Sequence, residues 1–167
     1  MNHDDHTLTE KSAALASRPA LSVGIEGGWF RDPDAVRRRA AEVIAEIPHP
    51  PGRKRASALR WGESEQMSSL SEGDIQLIVQ ANAMCDWIVY ALQCADAGEI
   101  PPVAHTVLSQ LARWPALRGR RFEHELEAAV KGLEASDLTG LRALVERCQR
   151  QYPGARQLGQ SSMRENP

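Results

Sequence analysis

The chain has 167 residues, of which 42% are apolar and 25% are charged, and its formal net charge is −2. These values are ordinary for a soluble globular protein of one domain, and the near-neutral charge argues against a protein that mainly coats nucleic acid or an anionic membrane. Aromatic residues make up only 5% of the chain, so the sequence offers no evident stacking platform for single-stranded nucleic acid.

The N-terminal residues 1–20 are small and polar and carry no sustained hydrophobic period. Such a segment has little apolar surface to bury, so we expect a disordered tail. The same residues lack the basic and apolar regions of a secretory signal. This favours a cytoplasmic protein.

The cysteine content points to the same compartment. Cys85, Cys94 and Cys148 form an odd and sparse set, which does not suit a disulfide framework, and no CxxC pair is present. Cys85 and Cys94 fall on opposite faces of one predicted helix, about 13 Å apart along its axis, and cannot bridge each other. We therefore expect the reducing cytoplasm to be the environment of the protein.

The first helix is predicted to begin at Asp32-Pro33-Asp34, because Asp32 can cap the free N–H groups and Pro33 suits the first helical position. Its apolar positions follow helical spacing at Val36, Ala40, Val43, Ile44 and Ile47. Pro48 ends the helix, and residues 48–70 are predicted to form a long loop with a basic cluster. Residues 21–30 alternate as a short strand would, but one strand has no sheet to join.

A long helix is predicted over residues 72–96, starting at a capping arrangement of Ser71 and Asp74. One face carries an a/d seam of Leu77, Ala81, Met84, Ile88, Ala91 and Ala95. Trp87 and Tyr90 lie outside that seam, so the helix is apolar nearly all round. It is therefore either the centre of a bundle or a helix whose second face packs on another subunit or another protein.

Polar side chains interrupt this apolar helix at Gln76, Gln80, Asn82, Asp86 and Gln93. Each would cost free energy in hydrocarbon, so we predict no membrane span.

Three shorter helices are predicted after Pro101-Pro102, each with apolar residues at helical spacing. These residues are Val103, Val107, Leu108, Leu111 and Trp114, then Phe122, Leu126, Ala129, Val130 and Leu133, then Leu138, Leu141, Leu144, Val145, Cys148 and Tyr152. The sequence thus predicts an all-α protein, a compact bundle of about five helices around the long helix. Residues 21–154 are expected to form a single helical domain, and residues 155–167 a flexible tail.

Charge is distributed unevenly. No Lys or Arg occurs from Trp61 to Ala112, a segment with seven acidic residues. The flanking basic residues are Arg37, Arg38, Arg39, Arg53, Lys54, Arg55 and Arg60 on one side and Arg113, Arg118, Arg120 and Arg121 on the other. They can pair with the acidic segment inside the molecule, or they can bind a phosphate or an acidic partner.

The sequence offers little catalytic chemistry. It contains no GxxxxGK[ST], GxGxxG, GxSxG or HExxH motif, and Glu123, His124 and Glu127 are interpreted as a solvated helix face. No catalytic residue, cofactor or metal ligand is predicted, and an enzyme of unrecognised type is the third hypothesis.

The leading hypothesis is a small helical interaction or adaptor protein that binds another protein, or itself, through the helix over 72–96. The alternative is a nucleic-acid-associated regulator that uses the Arg-rich segments 52–60 and 113–121. The candidate contact residues are Trp87, Tyr90, Arg53, Lys54, Arg55, Arg113, Arg118, Arg120 and Arg121.

Overall fold

A computed structural model describes residues 3–21, 28–52 and 70–151. Within these ranges the protein is all-α, with about 70% of the residues in six helices and one small two-stranded ribbon. In chain order the elements are α1 (His3–Ala16), β1 (Trp29–Phe30), α2 (Pro33–Glu46), β2 (Leu70–Ser71), α3 (Glu72–Asp96), α4 (Pro102–Leu111), α5 (Arg121–Glu134) and α6 (Thr139–Gln151). The predicted fold class is confirmed, with one more helix than the five expected.

The start of α2 follows its sequence signal. The Asp32 side chain accepts a hydrogen bond from the Asp34 backbone N–H at 3.2 Å, and Pro33 occupies the first turn. Buried apolar residues at helical spacing hold the helix against α3, and Ile47 leaves the helical conformation just before Pro48. The two-stranded ribbon lies beside this start: Trp29 pairs with Ser71 in antiparallel register.

Helix α3 is the centre of the fold and packs against α2, α4 and α6. It begins with a complete capping box between Ser71 and Asp74, as predicted, and runs for 25 residues. The four middle residues of the predicted seam, Ala81, Met84, Ile88 and Ala91, are fully buried. By length and composition α3 could cross a membrane, but 78% of its most apolar window is buried inside the protein, which is consistent with the core helix of a soluble protein.

The prediction of a disordered tail over residues 1–20 is wrong for residues 3–16, which form α1. This helix packs against α4, with Leu15 and Ser12 buried. The Trp114 indole Nε1–H donates to Ser12 Oγ at 3.2 Å. The helix has few large apolar residues, so its hydrophobic period is weak, and its order depends on α4. Residues 155–167 lie outside the described residues.

The expectation of reduced, unpaired cysteines is also wrong. Cys85 of α3 and Cys148 of α6 form a disulfide, with their Cα atoms 5.9 Å apart and a separation of 63 residues in sequence. Local spacing excluded a bond between Cys85 and Cys94, but it carries no information on a helix that packs across α3 from a distant part of the chain. Cys94 keeps a free thiol.

Helices α5 and α6 form an antiparallel hairpin in close contact. The approach is tightest at Gly140, where an added Cβ would lie 2.9 Å from the Cα of Ala129. Glycine is therefore required for this spacing. Through α6 the hairpin packs on α3, and the disulfide lies in that contact.

Candidate binding cleft

A cleft of about 340 Å³ separates the end of α4 from the second half of α5. It forms because α5 packs mainly against α6 and makes a smaller contact with α4. The residues that line it are Leu108, Ser109, Ala112, Arg113, Glu127, Val130, Lys131 and Glu134.

The floor of the cleft is apolar. Leu108 and Ala112 come from α4 and the turn after it, and both are buried; Val130 comes from α5 and is partly buried. These residues continue the apolar faces that hold α4 and α5 in the core. An apolar side chain of a ligand could be buried here.

The rim of the cleft carries both signs of charge. Arg113 and Lys131 supply two cations, and Glu127 and Glu134 supply two carboxylates. Glu127 lies 3.9 Å from His124 Nδ1. Within residues 3–21, 28–52 and 70–151, the side chains of Arg113, Lys131 and Glu134 have no oppositely charged group within 4.0 Å. The rim can therefore supply ion pairs to a ligand.

Two of the predicted basic contact residues have structural roles. The Nη2 group of Arg118 donates to the carbonyl oxygens of Ala16 and Arg113, both at 2.8 Å. The Nε–H group of Arg120 donates to the Ala116 carbonyl at 2.8 Å. Arg118 thereby satisfies a free carbonyl at the C-terminus of α1, where a cation is favoured. These guanidinium groups hold the 112–120 turn and α1 together.

The remaining basic candidates divide in two. Arg113 is exposed and lies at the cleft. The side chain of Arg121 lies outside the described part of the structure, as do Arg53, Lys54 and Arg55.

The two aromatic candidates differ in burial. Trp87 is completely buried, and its indole Nε1–H donates to the Pro48 carbonyl at 2.9 Å. Tyr90 is partly buried and packs edge-on against Trp87, with ring centroids 5.8 Å apart, and burial raises the pKa of its hydroxyl. The prediction of Trp87 as a surface contact is therefore wrong, because the protein's own chain covers this side chain and a partner could not reach it.

A chain of polar groups, partly buried at Arg39 and Glu72 and buried at Gln76 and Gln80, connects α2 to the 112–120 turn, whose first residues line the cleft. Arg39 donates from Nε and Nη2 to both carboxylate oxygens of Glu72, at 2.8 and 2.7 Å. Gln76 donates to Glu72 at 2.9 Å and Gln80 donates to Gln76 at 3.0 Å. Gln80 Oε1 then accepts the Ala116 backbone N–H at 3.0 Å. The turn is thus fixed to the central helix.

The charges in this chain support one another. Hydrogen bonds from Arg39 hold the pKa of Glu72 below its ordinary value, and bonds to Glu72 and Glu42 raise the pKa of Arg39. Part of the first basic flank therefore pairs internally with the acidic segment. Arg142, which lies outside both basic flanks, also pairs with the acidic segment, through Asp96 at 2.9 Å.

The described residues contain no group of three or more His, Cys, Asp or Glu side chains that could hold a metal ion. In the acidic face of α5, Glu123 accepts the Gly119 backbone N–H at 2.6 Å, and His124 is exposed. Sequence reasoning missed the cleft: Leu108 and Val130 were assigned to helix core faces, and the gap between those faces depends on how α4 and α5 pack.

Comparison with known proteins gives no match, neither to a protein-family model, nor to a curated protein, nor to a solved structure.

Proposed function

We propose that the protein is a small helical interaction module that binds an amphipathic helical segment of another protein in the α4–α5 cleft. The observation that carries the proposal is the combination of an apolar floor with a charged rim on which Arg113, Lys131 and Glu134 have no oppositely charged group within 4.0 Å among the described residues. Helix-in-groove recognition uses this combination, with apolar anchors in the groove and polar residues beside it.

The charges favour a protein ligand over nucleic acid. Glu127 and Glu134 lie on the same rim as Arg113 and Lys131, so a phosphate backbone in the cleft would meet two carboxylates. A peptide helix can place Lys or Arg beside the glutamates and Asp or Glu beside the cations. Arg118 and Arg120 are already bound to backbone carbonyls, which reduces the case for the segment 113–121 as a phosphate site.

We also propose that the protein acts in the cytoplasm. There the Cys85–Cys148 bond would meet cellular reductants, so its state would depend on the redox conditions.

Site-specific photo-crosslinking in the native host tests the cleft. A benzophenone amino acid replaces Ser109, which is exposed at the cleft, and in a matched control it replaces Ala128, which is exposed on α5 but does not line the cleft. We expect a defined protein adduct from position 109 and none from position 128. Adducts of equal yield at both positions would contradict a site in the cleft.

Binding of the captured protein, once purified, provides the second measurement. Ser109→Trp should fill the cleft and weaken binding, whereas Ala128→Trp should leave it unchanged. An adduct of twice the chain mass at position 109 would instead identify a second copy as the occupant. Retention of random duplex DNA with a steep salt dependence would favour the nucleic-acid alternative.

A further inference from the structure

We propose that the Cys85–Cys148 disulfide is a redox-controlled tether that holds the α5–α6 hairpin on α3 and thereby sets the shape of the α4–α5 cleft. The effect on binding rests on the function proposed above. The tether itself is a property of the fold and can be measured without a ligand.

The hairpin is attached to the rest of the protein on one side. Helix α6 packs on α3, and α5 reaches the remaining helices through its smaller contact with α4, where the cleft lies. Besides the disulfide, the α3–α6 contact contains the buried Leu141 and Leu144 and an exposed ion pair between Arg142 and Asp96. An exposed pair contributes little to stability, so the attachment depends on the buried leucines and on the covalent bond.

The position of the two sulfur atoms determines how the bond can be opened. Cys85 lies in the middle of α3 and Cys148 lies in α6, and both side chains are buried. A reductant therefore reaches the bond when the packing of α6 on α3 opens locally, as contacts between elements can do while the rest of a protein stays folded.

The reaction is thiol–disulfide exchange with a dithiol, either a small molecule or a thioredoxin-class protein. One thiolate of the dithiol attacks Cys148 Sγ, forms a mixed disulfide and releases the Cys85 thiolate. The second thiol of the dithiol then attacks the dithiol sulfur that is bonded to Cys148. This closes a disulfide within the dithiol and releases the Cys148 thiolate. The dithiol is oxidised to a disulfide, and the two cysteines take up two electrons and two protons.

Opening the bond should loosen the hairpin and change the cleft. Val130, Glu127, Lys131 and Glu134 all belong to α5, whereas Leu108 belongs to α4. When α6 is free to move on α3, α5 moves with it, and the α4 and α5 sides of the cleft separate. The bridged protein is therefore the binding-competent form.

Hydrogen–deuterium exchange of the full-length protein tests the tether, with and without dithiothreitol. A non-reducing peptide map first identifies the Cys85–Cys148 linkage. We expect reduction to accelerate exchange in α5 and α6 by at least roughly tenfold, with α1, α2 and α3 unchanged. Cys94→Ser should behave like the unchanged protein, and Cys85→Ala combined with Cys148→Ala should show the exchange pattern of the reduced form without any reductant.

Three results would overturn the tether: free thiols in the purified protein after air oxidation, identical exchange in both redox states, or global loss of protection on reduction.

Photo-crosslinking at position 109 separates the two proposals. If exchange responds as expected but no adduct forms, the tether stands and the function proposed for the cleft fails. If the adduct forms with equal yield in both redox states and exchange does not change, the tether alone fails.

Discussion

At the scale of single residues, the most consequential feature is the polar chain that runs from Arg39 through Glu72, Gln76 and Gln80 to the backbone of Ala116. Buried polar groups are tolerated when each has a partner, and removal of one member leaves its neighbours unsatisfied. The first link joins α2 to α3 and the last joins α3 to the 112–120 turn, while the two links between them run along α3, so this polar chain fixes how the three parts are arranged.

Gln80→Met is the sharpest test of this chain, because methionine fills nearly the same volume but neither donates as the amide does nor accepts strongly. The Ala116 N–H and the Gln76 amide oxygen would lose their partner, so we expect the free energy of unfolding to fall by about 1–3 kcal/mol. Urea denaturation measures the change. Glu99→Met, at an exposed position, should change stability by less than about 0.5 kcal/mol; equal effects would show that the buried bonds contribute nothing.

Glu72 makes stability depend on pH in acid. Its pKa in the folded protein lies below the ordinary 4.5 because Arg39 donates hydrogen bonds to its charged form. The stabilisation from this group is therefore fully present above pH 4.5 and is lost as the pH falls through the folded-state pKa.

Glu72→Gln should be less stable than the unchanged protein at pH 7, and that difference should shrink as the pH is lowered from 4.5 towards the folded-state pKa. Chemical denaturation at a series of pH values measures it. Glu134→Gln, which removes a rim carboxylate, is the control, and its free energy of unfolding should differ little from that of the unchanged protein. A difference for Glu72→Gln that stays constant across this range would refute the role of the Arg39 bonds.

At the scale of elements, the closest helix contact is that of α5 with α6 at Gly140 and Ala129. A Cβ at position 140 would lie 2.9 Å from the Cα of Ala129 and 3.0 Å from its Cβ. Backbone atoms cannot move aside as a flexible side chain can, so the two helices would have to separate.

Gly140→Ala should therefore destabilise the protein by about 1–3 kcal/mol, although alanine is the better helix former. Thermal or urea unfolding measures the loss. Ala129→Gly removes one of the two opposing atoms, so the double variant should lose less than the sum of the single changes. Strict additivity would mean that this contact is not limiting.

The elements also show what local sequence can and cannot predict. The starts of α2 and α3 were predicted from Asp32-Pro33 and from Ser71 with Asp74, because capping depends on residues within one turn. The helices that pack against α3 were not predicted, because their contacts join distant parts of the chain. Cys85 and Cys148, for example, are 63 residues apart and meet only through packing. The cleft was missed for the same reason. It lies between the apolar faces of α4 and α5, which were both predicted, but the space between them depends on how the two helices pack.

At the scale of the whole molecule, α1 belongs to the folded unit. Leu15 is buried, Ser12 accepts the Trp114 indole N–H, and Arg118 donates to the Ala16 carbonyl. Sequence alone predicted residues 1–20 to be a disordered tail, whereas these contacts predict that α1 stabilises the fold.

Removal of residues 1–17 should lower the melting temperature by at least about 4 °C, because Leu15 burial alone is worth about 2–5 kcal/mol. Differential scanning calorimetry measures the shift. Leu15→Ala should produce part of the loss in the full chain, whereas the exposed Ala14→Ser should produce almost none. A truncated protein with unchanged melting temperature would show that α1 does not stabilise the fold.

The docking of α1 on α4 also determines the order in which the protein is completed during synthesis. Ser12 emerges from the ribosome early, but its partner Trp114 is 102 residues further along the chain. At ordinary translation rates this gap lasts roughly 5–20 s. Throughout that interval the apolar side of α1 is part of a nascent chain without its native contact, exposed to chaperones and to neighbouring chains. Helix α1 is thus made well before its contact with Trp114 can form.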